Sequence, residues 1–416
     1  MRLERVEVGD EPARVAAEVR ALAQAPASVS EVVSAIIGAV RAGGDGALRE
    51  LVARYDLGGG APPAQLRLVP EDLDVELDAD VRAGLELAIA NVALVADAGV
   101  GEDVAVDLPQ GHRVVLREVP VRRAAIYVPG GQAPYPSTVV MGVVTARAAG
   151  VEEVVVLTPP QIDPVIRGAC ALTGVHEVYA MGGAHGIAAL AQGTETIERV
   201  DVIAGPGSLI VQEAKRQVSD VVGIDGFYGP SDVLVLCDGS ADARLVALDL
   251  LAQGEHGDGS LTALLCPDPA LLAEVGQRVA QLAPQRGSVA DAALALVRVR
   301  SARRGLELAE AIAPEHLELV GPEAEALAGE VRAAGCVFVG ADVATAFGDY
   351  VAGSNHVLPT GGAARFQSAL SAATFRRRMA RVSFAPGAAA RLAPAGAVIA
   401  RAEGFPVHAE SMERRA

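Results

Sequence analysis

One pattern constrains this chain more than any other: a short β-rich run, a glycine turn and then a helix, repeated from about residue 113 onward. "RAAIYVPGG" leads into "PSTVVMGVVTARAAGV", and "EEVVVLTPP" leads into "PVIRGACALTGV". "EVYAMGGAHGIAALAQGT" and "VDVIAGPGSLIVQEAKRQV" repeat the plan. Four strand–helix units in about a hundred residues imply a parallel, right-handed, doubly wound sheet.

A second series starts near residue 232 with "DVLVLCDG" and the helix "ARLVALDLLAQGEH". It continues through "LTALLCP", "DPALLAEVGQRVAQLA", "ALALVRVRS", "RRGLELAEAIA", "EHLELVG", the helix "PEAEALAGEVRAAG" and "CVFVG", which is another α/β sheet. The first hundred residues carry apolar side chains at helical spacing, with Ser28 and Ser30 as caps for the second helix. The tail beyond residue 365 is rich in Arg and Ala and reads as mostly helical. The expected fold class is therefore α/β: two Rossmann-like doubly wound parallel sheets, a helical N-terminal region and a helical C-terminal tail. The expected division is an extension over 1–20, a first α/β domain from 21–124 plus 233–365, a second over 125–232, and a tail over 366–416.

At 416 residues the chain exceeds one average core, and 51% apolar residues suffice for two. Aromatics are only 3%, which fits tight helix–sheet packing better than an aromatic-lined surface. A net charge of −17 makes nucleic acid and anionic membrane poor partners. Cys170, Cys237, Cys266 and Cys336 form no CxxC pair and read as buried free thiols of a reducing compartment. The opening "MRLERVEVGDE" is charged throughout and no apolar run has the length of a membrane span, so a cytoplasmic protein is expected.

Two kinds of residue carry chemistry. Gly130-Gly131, Gly182-Gly183 and Gly205-Pro206-Gly207 stand at strand–helix junctions, where backbone N–H groups can approach a phosphate. None forms GxGxxG and no P-loop is present, so most of their weight is as connectors, with a tilt toward a nucleotide. In "DLLAQGEHGDGS", Gln253 and His256 lie three apart on one face of a helix end. On their own they are either the start of a metal site or an ordinary wet helix terminus.

The chain resembles the histidinol dehydrogenase family over nearly its whole length. The resemblance is carried by "IYVPGGQAPYPSTVVMGVV", "YAMGGAHGIAALAQGTETI", "VDVIAGPGSLIVQEAKR", "GIDGFYGPSDVLVL", "DLLAQGEH", "APEHLELV", "GDYVAGSNHVLPTGGAARF" and "AEGFPVHAES", in that order. It implies oxidation of L-histidinol through an aldehyde to L-histidine with two NAD, one zinc per subunit and an intertwined homodimer. By this resemblance Gln253, His256, Asp349 and His408 are the zinc ligands, with His408 and Glu403 donated across the subunit interface. Glu315 and His316 are the catalytic pair: the imidazole takes the alcohol proton and the carboxylate activates water at the aldehyde stage. Ser231, His356 and Glu403 contact substrate together with the zinc ligands and His316. Tyr127, His185 and Ser208 fall on the cofactor-binding positions.

The chain departs from the family pattern mostly near the cofactor and substrate. His185 replaces the usual glutamine and Ser208 the usual asparagine, so both keep hydrogen-bonding ability with different reach. Tyr228 stands at a small-residue position, Asp232 replaces a glutamate, Gly254 an alanine and Ala369 a glycine. Two alternatives stay open: a related zinc- and NAD-dependent dehydrogenase of another amino or sulfonated alcohol, and a non-catalytic ligand-binding relative. Manganese in place of zinc also stays open.

Overall fold

The computed structural model describes residues 1–7, 11–23, 28–62, 64–130, 133–227, 229–257, 259–289 and 291–416. Gly131 and Tyr228 lie outside the described residues. The chain opens with β1 (Arg2–Glu7) and α1 (Pro12–Ala21), followed by α2 (Ser30–Leu51), a π-helical turn at Val52–Asp56, α3 (Ala79–Ala98), β2 (Val104–Asp107) and β3 (His112–Pro120). The first repeated series gives β4 (Arg123–Tyr127), α4 (Pro136–Ala148), β5 (Glu153–Thr158), α5 (Pro164–Leu172), β6 (Val178–Ala180), α6 (Gly183–Gln192), β7 (Val202–Ala204), α7 (Leu209–Val218) and β8 (Gly223–Ile224). The second gives β9 (Asp232–Cys237), α8 (Ala243–Gln253), β10 (Leu261–Cys266), α9 (Pro269–Leu282), β11 (Ala293–Arg298), α10 (Ala302–Ile312), β12 (His316–Val320), α11 (Pro322–Glu325) and β13 (Cys336–Val339). The chain ends with α12 (Thr345–Tyr350), β14 (Arg376–Phe384), α13 (Ala388–Ala402) and α14 (Pro406–Glu413).

Each series builds a parallel sheet. The five-stranded sheet runs β6-β5-β4-β7-β8 and the six-stranded sheet β1-β11-β10-β9-β12-β13. In both, the order reverses beside the first strand of the series. Alternate side chains of β4 and β5 feed two cores: Ile126 and Val156 pack with α3, α4 and α5, while Ala125 and Val155 pack with α2, α6 and α7. The six-stranded sheet is likewise covered on both faces, by α1 and α10 on one and by α8 and α9 on the other. The described cysteines are free, and Cys237 and Cys266 lie buried in adjacent strands.

Several expectations need correction. The tail is not mostly helical: Arg376–Phe384 is a strand, paired antiparallel with β3 over its full length, and β2 completes a third sheet. Its alternation is confined to the short "ARVSF" after three arginines and neither face is buried, so the partner strand defines it. β1 pairs with β11 and α1 packs on the same sheet, so these two elements of the expected extension join the core of the six-stranded sheet. Helices α2 and α3, expected with residues 233–365, pack on the five-stranded sheet, and α3 also meets part of that segment there, Asn91 Nδ2 donating to the Val351 carbonyl at 2.7 Å. The helix read from "PEAEALAGEVRAAG" shrinks to α11 and a 3-10 turn at Ala328–Glu330. Val29, without a side-chain bond, occupies the N-cap of α2, and Ser28 Oγ only approaches Ser30 N at 3.5 Å. Among the described residues no helix is long and apolar enough to cross a membrane.

Candidate active site

A helix that follows a parallel strand returns to the strand's starting edge, so the C-terminal end of α8 meets the amino ends of β9 and β12. Ser231 and Asp232 open β9, Glu315 and His316 open β12, and Gln253 ends α8. Gln253 Nε2 donates to Ser231 Oγ at 2.7 Å, and Ser231 Oγ donates to Glu315 Oε2 at 2.5 Å. The two strand starts clamp one another. Asp232 N donates to Glu315 Oε2 at 3.0 Å, and Glu315 N donates to Asp232 Oδ1 at 2.7 Å. His316 Nδ1 lies 3.3 Å from the Asp232 carbonyl, and its Nε2 lies 3.7 Å from Asp349 Oδ1 on α12. His256, in the 3-10 turn after α8, places Nε2 3.8 Å from Asp349 Oδ2. His356 reaches the Asp349 carbonyl through Nδ1 at 2.9 Å and Thr138 of α4 through Nε2 at 3.2 Å.

Burial sets the protonation of this cluster. Glu315 and His316 are almost wholly buried. Burial and the neighbouring Asp232 push the Glu315 carboxyl well above its usual range. Burial and the His256 imidazole push His316 down to about 3, so it stands neutral near pH 7. His356 is pushed down to about 4, mainly by burial, and burial raises Asp349 to about 7. Burial therefore disfavours charge on each of these groups in the absence of an opposite charge beside it.

One atom tests the fit of a cation. Gln253 Oε1 is buried and has no hydrogen-bond partner, although its Nε2 is engaged. Buried carbonyl oxygens of native proteins are nearly always satisfied, and a bound cation would satisfy this one. The donor set of amide oxygen, imidazole and carboxylate suits zinc or manganese. Within one chain the set is incomplete: among the described residues no group of three or more His, Cys, Asp or Glu side chains is placed to hold an ion. His408 lies on α14, exposed and packed against Phe405 at a ring distance of 5.3 Å, with no hydrogen bond or ion pair to the cluster. Glu403 closes α13, also exposed and away from the cluster.

The cofactor positions gather at the carboxyl ends of the five-stranded sheet. Tyr127 ends β4, and its Oη accepts from Gly183 N at 3.4 Å. Gly205 follows β7 with φ 122°, and a Cβ there would fall 2.2 Å from the Tyr127 carbonyl oxygen, so only glycine fits. Ser208 is the exposed N-cap of α7, without a side-chain cap bond. His185 is turned inward: its Nε2 lies 2.9 Å from Asp56 Oδ2, and its ring stacks on Tyr55. Asp56 Oδ2 also accepts from Gly182 N at 2.9 Å. Thr138, in the first turn of α4, joins this edge to His356 and, through it, to the Asp349 carbonyl.

Sequence reasoning missed Asp56, Thr138, Arg20 and Asp225. Arg20 of α1 donates to the Ile312 carbonyl and lies 3.5 Å from Asp232 Oδ2, while Asp225 holds Lys215 and Gly205 N. Asp56 and Arg20 lie outside every family motif, and Thr138 and Asp225, though inside two of them, face partners that the local sequence does not show. Asp232 was visible only as a departure, and the structure gives it a partner in Glu315. Gly254 packs where an added Cβ would meet Met1 and Val289 at 2.9 and 3.0 Å, which explains glycine between Gln253 and Glu255.

The comparisons with known proteins agree with this architecture. The family model described as histidinol dehydrogenase matches residues 20–416. A histidinol dehydrogenase of Aromatoleum aromaticum is 40% identical over 403 residues, covering 94% of this chain and 92% of the relative. One from a Synechococcus species is 41% identical over 403 residues with the same coverage. The crystal structure of histidinol dehydrogenase from Elizabethkingia anophelis superposes with a TM-score of 0.90 at 27% identity, covering 100% of this chain and 98% of that one. This chain belongs to the histidinol dehydrogenase family.

Proposed function

We propose that this protein oxidises L-histidinol to L-histidine in the cytoplasm, with two NAD per turnover and one zinc per subunit. The observation that carries the reading is the convergence of Ser231, Gln253, His256, Glu315, His316, Asp349 and His356 around an unsatisfied buried amide oxygen. Gln253, His256 and Asp349 would hold the ion, with His408 of the partner subunit completing the set. When bound, zinc supplies an anchor for the substrate's amine and imidazole nitrogens.

The chain's own groups do the proton work. His316 is neutral near pH 7 and accepts the alcohol proton as the carbon-bound hydride leaves for NAD. Asp349, 3.7 Å from Nε2, stabilises the imidazolium so formed. Water then adds to the aldehyde and gives a proton to Glu315, and the hydrate loses its remaining hydride to a second NAD. A carboxylate that burial holds above its usual range is, once ionised, a stronger base than an ordinary one. Ser231 and the Asp232 amide aim it. Tyr127, Ser208 and the glycine turns would receive the dinucleotide at the carboxyl edge of the Rossmann-like sheet, with His185 acting through Asp56.

The intertwined dimer accounts for two features of a single chain. His408 and Glu403 stand apart from the cluster, and Val398, Ile399, Phe405 and Val407 beside them expose 52–74% of their surface. A partner subunit would cover that apolar stretch while delivering both polar side chains.

The test is the yield of NADH from zinc-loaded protein and L-histidinol, with and without chelator. Two NADH per histidinol, abolished by chelation and restored by zinc, is the expected result. Bound zinc with no NADH from histidinol would overturn the substrate and move the search to other amino and sulfonated alcohols.

A further inference from the structure

Beneath the catalytic cluster lies a second polar layer. Three of the elements that carry a site residue, β12, α8 and α12, carry another polar residue one repeat deeper. On β12, Glu318 follows His316 by two and shares its face. On α8, Asp249 precedes Gln253 by four, and on α12, Thr345 precedes Asp349 by four. The neighbours on the other face of β12, Leu317 and Leu319, are packed against α1 and α10, so Glu318 points toward α8.

Glu318 is fully buried. Its Oε1 accepts from both Thr345 N at 2.8 Å and Thr345 Oγ1 at 2.6 Å. Helix α12 has Ala344 at its N-cap position, which offers no side-chain acceptor. The glutamate from β12 thus performs in trans the task that Ser or Asp performs at an ordinary helix start. The other oxygen, Oε2, is buried without a partner, and among the described residues no basic side chain pairs with Glu318. Burial raises the Glu318 carboxyl, and burial together with the Glu318 charge pushes Asp249 up to about 8. A carboxyl group kept in so poor an environment for a charge needs a reason beyond packing.

We propose that Glu318 is a positioning residue for the metal site: by capping α12 from strand β12, it fixes Asp349 one helical turn away in register with His316. The proposal rests on Asp349 as a zinc ligand. A single residue then ties the strand of the base to the helix of the ligand. Without the cap, the first turn of a six-residue helix frays, and Asp349 loses its fixed distance to His256 and His316.

The test measures zinc affinity by chelator competition in the dimeric protein, for wild type, Glu318→Ala, Glu318→Gln and Thr345→Val. Glu318→Ala is expected to weaken zinc roughly tenfold or more, as loss of an outer-shell partner does. Thr345→Val keeps the backbone donor and loses the hydroxyl, so it falls between. Glu318→Gln keeps the acceptor and is expected to stay within about threefold of wild type. Hydrogen exchange over residues 345–350 of the zinc-free protein is expected to rise in Glu318→Ala, while NAD affinity stays unchanged. Should wild type bind zinc tightly and Glu318→Ala bind it equally, with unchanged exchange at 345–350, the positioning role is overturned. Should wild type itself bind no zinc, the metal reading falls instead. If Glu318→Ala does not fold, Thr345→Val decides by the same measurements.

Discussion

The cofactor edge offers a quantitative test in Lys215→Met. The Lys215 ammonium is fully buried, donates to the Gly205 carbonyl at 2.8 Å and pairs with Asp225 Oδ1 at 2.7 Å. Asp225 Oδ2 in turn accepts from Gly205 N at 2.6 Å. Burial lowers the Lys215 pKa, and the Asp225 charge opposes that shift, so the pair is a balance between desolvation and Coulomb attraction. Methionine fills the volume but leaves Asp225 as an uncompensated buried charge. Removing one partner of such a pair costs about 3–5 kcal/mol. In a folding unit of about 200 residues that lowers Tm by about 6–20 °C. Lys215→Met/Asp225→Asn removes both charges while asparagine still accepts from Gly205 N, so it is expected to lose only about 1–2 kcal/mol. Denaturant unfolding of the two single variants and the double variant, fitted to the transition of the five-stranded sheet, reads the non-additivity directly. A single variant costing less than about 1 kcal/mol, or a double variant as unstable as the sum of the singles, would refute the reasoning.

Glu315→Gln is expected to leave the oxidation of histidinol within a few-fold of wild type and to slow oxidation of supplied histidinaldehyde by roughly 10²–10⁴. Equal loss in both half-reactions would remove the water-activating role. His256→Ala and Asp349→Asn are each expected to lose bound zinc together with activity, read by metal analysis after dialysis; full zinc occupancy in either sinks its assignment as a ligand. For pH, Asp249 has a folded pKa of about 8 against about 3.9 when unfolded. The folded state therefore holds a proton that the unfolded chain has released between pH 4 and 8, and stability falls as pH rises through that window. Asp249→Asn should flatten that slope in unfolding measured from pH 5 to 8; an unchanged slope contradicts it. His256→Ala and His408→Ala, each inactive alone, should regain about a quarter of wild-type activity after their subunits are mixed, because half the dimers then carry one intact site. No recovery despite proven subunit exchange counts against a shared site.

Local patterns made much of this legible. The two series of strand–glycine–helix units predicted both parallel sheets, since fully buried strands such as "EVVVLT" and "LTALLC" are continuous apolar runs. The cluster of Gln253, Glu315, His316 and Asp349 was readable through family motifs, because its members sit in short stretches with distinctive neighbours. What stayed hidden depends on pairing between distant segments. β14 is a strand because β3 offers it nine partners, and nothing in "RRRMARVSF" shows that. β1 looks like a charged leader, yet β11 accepts it as an edge strand. Asp56 and Glu318 act across 126 and 27 residues, on Gly182 and Thr345. Asp56 lies in no motif, and Glu318, though inside "APEHLELV", shows no partner there, since each interaction is defined only once the chain has folded.

The two halves of the site also differ in polarity, and strand direction explains why. At the carboxyl ends of β4 and β7 the next structural element is a glycine turn and a helix N-terminus, which together present N–H donors to an anion. At the amino ends of β9 and β12 the arriving element is the C-terminal end of α8, where carbonyl dipoles favour a cation. The buried amide N–H groups of these strand starts are taken by carboxylates, Asp232 N by Glu315 and Glu315 N by Asp232. That exchange holds the Glu315 carboxylate beside a cation-favouring helix end, with no arginine among the described residues in direct contact with it. Arg20 stands one step back, against Asp232 and the end of α10. A guanidinium on Glu315 itself would stabilise its ionised form and weaken it as a base. The structure keeps the positive charge on Asp232 and leaves Glu315 to hydrogen bonds, and the Thr138–His356 contact joins an edge suited to an anion to one suited to a cation.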